Sequence, residues 1–435
     1  MNILVIGNGF DLAHGLLTKY TDFLEFASSF LKYDKEESSR ISWDSWFKEE
    51  TVRCYIKKLF EEQSNEGFAD KDNTEERKRI RNNAEKAIQD LKELLSNNVW
   101  LEYFLEKRDE MAENGLGNWI DFEEELSKVI QSLDKDIHNK DKNYNIDSIT
   151  EDLTNDFLKK KFLVRKQQSE NEILNENNKI SFRCIRDKLL EDLNKLIRAL
   201  EIYLAICVKG RKCEALPLIK KINPDFVLSF NYTDTYEYIY GKTADVDYIH
   251  GTVNSTQEKE NNMVLGIDEY LSKKRKDKDL EFIYFKKYYQ RIYKQTGCDY
   301  KHRVSKIQKE YKEYLDSQVK IEKLQNIHRR NGKNTLYELG KLGNAINRIR
   351  KEFPECNVYF FGHSLDVTDK DIIRDLILND NINTTIYAYD REAMGKQIVN
   401  LVKVIGQSEL IKRTGGNKPK IKFKILEEEN KKNKK

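Results

Sequence analysis

The sequence predicts an α/β fold in which a parallel sheet is interrupted by a large helical insertion between its first and second strands. Five short apolar runs, typical of strands buried on both faces of a sheet, end in glycine or polar residues. The first run opens the chain and the others lie in its second half, so the first must pair with them to bury its faces. Most residues between these runs show the three- and four-residue apolar spacing of helices.

Length and composition fit a soluble globular protein. The chain has 435 residues, enough for two or three domains of roughly 100–200 residues each. Lysine and arginine number 77 and aspartate and glutamate 74, and the signs are interspersed, so the net charge of +3 indicates no polyanionic partner. We interpret the basic stretches Lys273–Lys276 and Lys431–Lys435 as solvated surface, with contact to nucleic acid as the alternative.

The sequence indicates neither a metal site nor a membrane segment. Six cysteines are scattered without a Cys-x-x-Cys pair, so their spacing supports neither a zinc site nor a disulfide framework. The apolar opening, Met1–Gly7, is too short for a signal peptide, and no apolar run approaches the ~20 residues of a membrane span. We expect a cytoplasmic protein without a membrane partner.

The first strand, Ile3–Ile6, is followed by a glycine-rich turn. Glycines let a backbone approach a phosphate closely, and the first amides of the next helix then face the anion. Leu12 stands where the dinucleotide-binding fingerprint has its third glycine. The alternative is a plain strand-to-helix turn with Asp11 as the N-cap. We predict a nucleotide-binding turn formed by Gly7, Asn8, Gly9, Phe10 and Asp11.

The chain divides into two predicted domains. Residues 1–20 and 222–435 form a nucleotide-binding α/β domain, which carries a charged helical insertion at about 271–335. Residues 21–221 form a helical insertion or cap domain, as the apolar spacing over Leu189–Leu200 illustrates.

Polar residues follow the second and third apolar runs, Phe226–Phe230 and Val246–Ile249. In open α/β sheets ligands bind at the carboxyl ends of the strands, so these residues are candidates for a site. Turn chemistry and a structural histidine are the alternatives. His250 titrates near neutral pH and can accept a proton there. The candidates are Ser229, Asn231, Thr233, Asp234, His250 and Gly251.

The fourth and fifth runs, Asn357–Phe361 and Thr384–Tyr389, end in further candidates. Gly362 allows close approach, and the polar residues after it are predicted to reach ribose hydroxyls. Asp390 is predicted to bind an adenosine ribose, as acidic residues after strands do in dinucleotide-binding folds. A turn capped by serine or aspartate is the alternative. These candidates are Gly362, His363, Ser364, Asp366 and Asp390.

Three lesser features remain. The acidic stretch Trp119–Glu125 is interpreted as a solvated helical face, with a role in capping the site as the alternative. The basic and aromatic run Phe285–Arg291 is interpreted as a helix that packs its aromatic side chains, with phosphate or nucleic-acid binding as the alternative. His14 is left open between a site residue and a helix surface residue.

The opening, Asn2–Gly15, resembles that of the AbiH family of bacterial abortive-infection proteins. Further motifs fit the same family in the same order along the whole chain, which implies a role in defence against bacteriophage. These motifs are Trp119–Glu125, Phe230–Thr233, Ile249–Gly251, Leu265–Asp268 and Phe361–Asp366.

A more distant similarity links the chain to sirtuins and sirtuin-like NAD hydrolases, and it implies a Rossmann-like, sirtuin-like sheet. The matching positions, in order, are Gly7 and Gly9, Ser229 and Asn231, His250-Gly251, and Gly362–Leu365. The chain departs from that pattern at Thr233, where an aspartate is expected, and Asp234 lies one step further on. The zinc-ribbon cysteines are absent too, so a protein deacylase is disfavoured.

The resemblance implies that NAD+ is the substrate, with no cofactor or metal required. By analogy, Asn231 orients the ribose or water and His250 is the general base. Gly7 and Gly9 hold the pyrophosphate, and the adenosine side is held by Ser364, Asp366 and Asp390. Depletion of NAD+ in infected cells would then be the defence.

Two alternatives stay open. The domain binds a nucleotide without turnover, as a sensor or scaffold, or it is a nuclease that recruits Asp121, Glu123 and Glu125 against RNA or DNA. A phage-derived trigger, a homo-oligomer and contact with nucleic acid are compatible with either.

Overall fold

The computed structural model describes residues 1–35, 86, 89–114, 120–139, 146–147, 149–150, 153–163, 180–209, 213–253, 261–331 and 336–426. Trp119 and the basic stretch Lys431–Lys435 lie outside these described residues.

A six-stranded parallel sheet and a separate two-stranded antiparallel sheet hold the strands of the described chain. The parallel sheet predicted from the apolar runs is confirmed. The last strand was missed by the sequence analysis, because lysines alternate with its apolar residues. The strands are β1 (Asn2–Ile6), β2 (Ile149–Thr150), β3 (Ile180–Ser181), β4 (Phe226–Ser229), β5 (Asp245–Tyr248), β6 (Cys356–Phe361), β7 (Ile382–Ala388) and β8 (Ile421–Ile425).

Strand β1 lies at the centre of the sheet, whose order is β5-β4-β1-β6-β7-β8. Ile3 pairs with Phe226 on one side and with Val358 on the other. After β1 the chain adds β4 and then β5 on one side of it, and it then crosses to the other side to add β6, β7 and β8. This is the strand order of doubly wound sheets, and it opens a crevice at the carboxyl ends beside β1.

Helices surround the sheet and fill most of the described chain between β1 and β4. They are α1 (Asn8–Ala13), α2 (Tyr20–Lys35), α3 (Val99–Glu113), α4 (Phe122–Asn139), α5 (Asp156–Leu158), α6 (Phe182–Tyr203), α7 (Pro217–Ile222), α8 (Thr235–Tyr240), α9 (Lys287–Tyr293), α10 (Asp299–Asn331), α11 (Leu336–Ile349), α12 (Lys370–Ile377), α13 (Arg391–Ile405) and α14 (Gln407–Thr414).

Helices α2 to α6 pack around an aromatic core of their own. The ring of Phe122 stacks on Phe104 at 3.9 Å and on Tyr20 at 4.1 Å between centroids. The same core takes in Leu265 and Phe285, which follow β5 in the chain. The helical region is therefore packed against the segment that leads into α9, which brings it over the carboxyl edge of the sheet.

None of the helices among the described residues has the length and apolar character needed to cross a bilayer.

Candidate functional site

A cavity of about 210 Å³ lies at the carboxyl ends of β1, β4, β5 and β6. The turns after these strands form its floor. Residues of the helical region, among them Tyr20, Ile120 and Tyr203, form its roof. The cavity thus has a polar wall provided by the sheet and a more apolar wall provided by the helices.

The glycines of the first turn pack against the turn after β6. The Gly7 amide donates to the Phe361 carbonyl at 3.2 Å, and the Gly9 amide donates to the Gly362 carbonyl at 2.9 Å. A Cβ on Gly9 would lie 2.7 Å from the Gly362 Cα. These glycines allow the backbones of the turns after β1 and β6 to pack closely, and their amides already donate to carbonyl groups. Phosphate binding at this turn therefore stays a prediction, and the amides of Gly7 and Gly9 do not contribute to it because both already donate to carbonyl groups.

Asp11 is buried in the cavity wall with an unsatisfied oxygen. It lies inside α1, whose N-cap position is Gly7, so the alternative of Asp11 as N-cap was wrong. Its Oδ2 accepts a hydrogen bond from Thr233 Oγ1 at 2.5 Å, whereas its Oδ1 has no partner among the described residues. Burial raises the pKa of Asp11 to about 6, and the hydrogen bonds of Thr233 and Thr235 oppose that rise.

Asn231 offers both side-chain atoms without a partner. It is buried at the end of β4 and lines the cavity, and neither Oδ1 nor Nδ2 makes a hydrogen bond of good geometry among the described residues. The Asn231 side chain nevertheless lies near the Asp11 carboxyl and, with Thr233 and Thr235, opposes the rise of the Asp11 pKa. The Asn231 backbone amide donates to Ser229 Oγ at 3.2 Å. Ser229 therefore supports the turn that presents Asn231.

His250, at the end of β5, forms a dyad with Asp369. Its Nε2 lies 3.3 Å from Asp369 Oδ1, and its Nδ1 is buried without a partner in the described chain. Burial lowers the pKa of His250, Lys287 lowers it further, and Asp369 opposes both. At neutral pH the imidazole is neutral, with the proton on the nitrogen that faces the carboxylate. Nδ1 then carries a lone pair that can accept a proton.

His363 contacts the same carboxylate from the other side. Its Nδ1 accepts the Leu365 amide at 2.9 Å, so in the neutral ring the proton is on Nε2, which lies 3.8 Å from Asp369 Oδ2. Burial lowers the pKa of His363 to about 4. Nδ1 is thus occupied by the backbone, Nε2 lies near the Asp369 carboxylate, and the residue lines the cavity as predicted.

Lys287, the first residue of α9, lies between two carboxylates. Its Nζ is 3.2 Å from Asp369 Oδ1 and 2.6 Å from Glu123 Oε2, and all three side chains are largely buried. Burial disfavours the ammonium, but Asp369 and Glu123 outweigh it and raise the pKa of Lys287. Burial likewise disfavours ionised Asp369, but Lys287 and His250 outweigh it and lower its pKa. The ammonium is therefore charged and links the helical region to the dyad.

Eleven of the sixteen residues predicted as the site line this cavity, and the other five lie outside its wall. The lining residues are Gly7, Asn8, Gly9, Asp11, Asn231, Thr233, His250, Gly362, His363, Ser364 and Asp366.

The five residues outside the wall have other contacts. Phe10 packs its ring edge-on against Phe361 in the core, and Ser229 holds the Asn231 amide. Asp234 pairs with Lys209 at 2.9 Å. Gly251 takes a φ of +75°, where a Cβ would lie 2.1 Å from the Asn262 carbonyl oxygen. Asp390 caps α13 by accepting the Ala393 amide at 2.8 Å.

Sequence analysis missed the three residues at the centre of the charge network. Glu123 was interpreted as part of a solvated helical face, which was wrong, since it is buried in the cavity wall, whereas Glu124 beside it is exposed. Lys287 stood in a run interpreted as aromatic packing. Asp369 follows the predicted Asp366 by three residues, and no single-sequence signal distinguished it.

The residues suggested for a nuclease are already engaged. Glu123 pairs with Lys287, and Glu125 accepts a hydrogen bond from the Tyr103 hydroxyl at 2.7 Å. Among the described residues one cluster of potential metal ligands was found: Asp134, His138 and Asp279. The Arg275 guanidinium lies among these three side chains, 3.1 Å from Asp134 and 2.9 Å from His138, so a cation of the protein already balances them.

The fold and the cavity define a doubly wound α/β protein with a candidate ligand site at the carboxyl edge of its sheet. The family model described as "Bacteriophage abortive infection AbiH" matches residues 3–389, and the chain therefore belongs to the AbiH family. Membership implies a role in abortive infection, the defence predicted from the sequence. Comparisons with curated proteins and with solved structures gave no match.

Proposed function

We propose that the protein cleaves the nicotinamide–ribose bond of NAD+. One observation carries the proposal: buried, unpartnered side-chain atoms of Asn231 and His250 lie together in the wall of the cavity. A buried polar atom without a hydrogen bond costs about 1–3 kcal/mol, so a ligand or water that supplies the missing partners binds favourably.

The pattern of missing partners suits a ribose. Asp11 Oδ1, Asn231 Oδ1 and His250 Nδ1 are acceptors, and Asn231 Nδ2 is a donor. Ribose offers vicinal hydroxyls that both donate and accept, and a water molecule at the base supplies a further donor. A phosphate has acceptor oxygens alone and would suit Asn231 Nδ2 but not the other three atoms.

The charges of the cavity wall suit the positively charged nicotinamide end of the substrate. Its carboxylates outnumber its lysines, which are Lys19 and Lys287, and Lys287 is already paired. The pyridinium ring of NAD+ carries a positive charge, as does the oxocarbenium-like state through which glycosidic bonds break. The carboxylates are Asp11, Asp121, Glu123, Asp366 and Asp369.

Hydrolysis at this site needs one base and no strong acid. The bond between ribose C1′ and the pyridinium nitrogen breaks, and its electron pair leaves with nicotinamide, which becomes neutral. Water attacks C1′, and its proton passes to His250 Nδ1, while Asp369 stabilises the imidazolium that forms. Asn231 orients the ribose or the water. The products are nicotinamide and ADP-ribose.

The sirtuin-like likeness of the sequence supports this assignment at seven positions of the cavity wall: Gly7, Gly9, Asn231, His250, Gly362, His363 and Ser364. The cavity is smaller than the ~300–1,000 Å³ of typical small-molecule pockets. It has room for a ribose with part of its base, so the rest of NAD+ requires the helical roof to open. That requirement fits a protein that is silent until phage infection.

The test is chromatography of NAD+ and nicotinamide in phage-infected cells and with purified protein. Wild type releases nicotinamide. His250→Ala lowers the rate by about 10²–10⁴-fold, as loss of a general base does, and Asn231→Ala lowers it because the ribose or water is no longer oriented. His302→Ala and Asn326→Ala alter exposed residues of α10 and keep full activity. Protection from phage with NAD+ levels unchanged would overturn the proposal.

A sensor that binds a nucleotide without cleaving it is the second candidate, favoured by the small volume of the closed cavity. A sensor binds NAD+ without forming nicotinamide. Thermal stabilisation by NAD+ without release of nicotinamide therefore distinguishes a sensor from a hydrolase.

A further inference from the structure

Two hydrogen-bond donors, one imidazole and one ammonium, share one oxygen of Asp369. His250 Nε2 lies 3.3 Å from Asp369 Oδ1, and Lys287 Nζ lies 3.2 Å from the same atom. When an ammonium offsets the charge of a carboxylate, that carboxylate stabilises a neighbouring imidazolium less strongly. The strength of the His250–Asp369 dyad therefore depends on how firmly Lys287 is held elsewhere.

Glu123 is the second carboxylate that binds the Lys287 ammonium. Its Oε2 lies 2.6 Å from Lys287 Nζ, closer than Asp369 does. Glu123 is in the first turn of α4, on the helical region, whereas Asp369 follows β6 on the sheet. The contact between Glu123 and Lys287 thus joins the roof of the cavity to the base on its floor.

We propose that Glu123 is a positioning residue that sets the basicity of His250 by withdrawing Lys287 from Asp369. The role of His250 as base rests on the proposed NAD+ cleavage, but the electrostatic coupling among the four side chains does not. Glu123 itself touches no reacting atom in this account.

The charges around His250 fix the direction of each substitution. The titratable and charged groups that face it are Asp369, Lys287, Arg291 and His363. Burial raises the pKa of Glu123 to about 8, and the Lys287 ammonium at 2.6 Å opposes that rise. Where Glu123 is ionised, Glu123→Gln leaves the Lys287 charge uncompensated, which disfavours imidazolium and lowers the His250 pKa. Lys287→Met leaves two buried carboxylates, which favours imidazolium and raises it. The double variant removes one charge of each sign and returns the pKa toward that of wild type.

A merely structural role gives a different pattern. If either substitution only loosened the packing, water would reach His250 and its pKa would rise toward the ordinary value from its lowered one. Both single variants would then move in the same direction. Opposite shifts from the two partners of one ion pair therefore identify electrostatic coupling.

The experiment is a pH titration of ¹⁵N-histidine resonances in the full-length protein, with no substrate added. The chain has 6 histidines, and His250→Gln assigns the signal. Glu123→Gln is expected to lower the His250 pKa by about 1 unit and Lys287→Met to raise it by about 1 unit or more. Glu124→Gln, which alters the exposed neighbour, leaves it unchanged.

A rise or no shift with Glu123→Gln would overturn the inference. If that variant does not fold, Lys287→Met and the charge-balanced double variant decide it, because the inference requires the second to reverse the first. Since no substrate is present, the inference and the proposed NAD+ cleavage fail independently.

Discussion

Asp11 illustrates how burial, at the scale of one residue, creates both a binding group and a cost. Its side chain is buried in the cavity wall, where one oxygen is bonded to Thr233 and the other has no partner among the described residues. Desolvation of that carboxyl raises its pKa to about 6 from an ordinary 3.8. An empty site therefore carries a carboxylate that is destabilising until a donor reaches it.

Asp11→Asn should become more stable relative to wild type as the pH rises. Below pH 3.8 the carboxyl is protonated in both folded and unfolded chains, and as the pH rises through about 6 the unfolded chain ionises first. Wild type therefore loses about 3 kcal/mol of unfolding free energy over this window, which the asparagine variant keeps. Urea unfolding at pH 4 and pH 7 measures the difference.

The matched control is Asp316→Asn, which alters an exposed carboxylate of α10. The burial argument fails if the stability difference between Asp11→Asn and wild type changes no more with pH than that of the control.

Sequence analysis identified the residues that follow strands and missed those that arrive from elsewhere. Asn231 and His250 were found because the end of a buried strand points to the edge of the sheet where ligands bind. Lys287 and Asp369 are 82 residues apart in the chain, and their contact is a product of tertiary packing. No local pattern marks such a pair, since each residue alone is typical of a solvated surface.

At the scale of elements, the contact between the turns after β1 and β6 determines the shape of the cavity floor. Gly362 takes a φ of +67°, and a Cβ there would lie 2.2 Å from the Phe10 backbone nitrogen. The sequence predicted both turns, since each follows an apolar run, but it assigned their glycines to a ligand. These glycines instead contact the backbone of the opposite turn, because β1 and β6 are neighbours in the sheet. The sequence alone does not show which strands are neighbours.

Gly362→Ala should destabilise the protein by about 2–5 kcal/mol, the sum of a left-handed conformation and an overlap with packed backbone. Gly395→Ala is the control, since that glycine lies inside α13 with open space around it. The control should stabilise by about 0.5–1 kcal/mol, as alanine does in a helix. Chemical denaturation gives both values. A neutral Gly362→Ala would show that the two turns separate readily.

At the scale of the whole molecule, the cavity is built by parts of the chain that are far apart in sequence. Its floor comes from turns after four strands of the sheet, and its roof comes from the helices between β1 and β4. The alternation of a buried sheet with helices was predictable from periodicity. How the helical region sits on the sheet was not, because that depends on the aromatic core shared with Leu265 and Phe285.

NAD+ should stabilise the folded protein whether or not it is cleaved. A ligand at 100 times its Kd adds about 2.7 kcal/mol to the free energy of unfolding. Thermal unfolding of His250→Ala with NAD+ measures binding without turnover, and Asn231→Ala should lose about 1–3 kcal/mol of this binding. Asn326→Ala should shift as wild type does. Stabilisation of wild type without nicotinamide release would favour the sensor, and no stabilisation at all would contradict both candidates.

The central position of β1 has a consequence for synthesis on the ribosome. Asn2 contacts Asn357, 355 residues further along, and Asp369 follows later still. At roughly 5–20 residues per second, β1 waits roughly 20–70 s before its second neighbour is translated. A nascent chain therefore holds His250 without the carboxylate that orients it. A chain that ends before Asp369 would therefore lack the dyad on which the proposed activity depends.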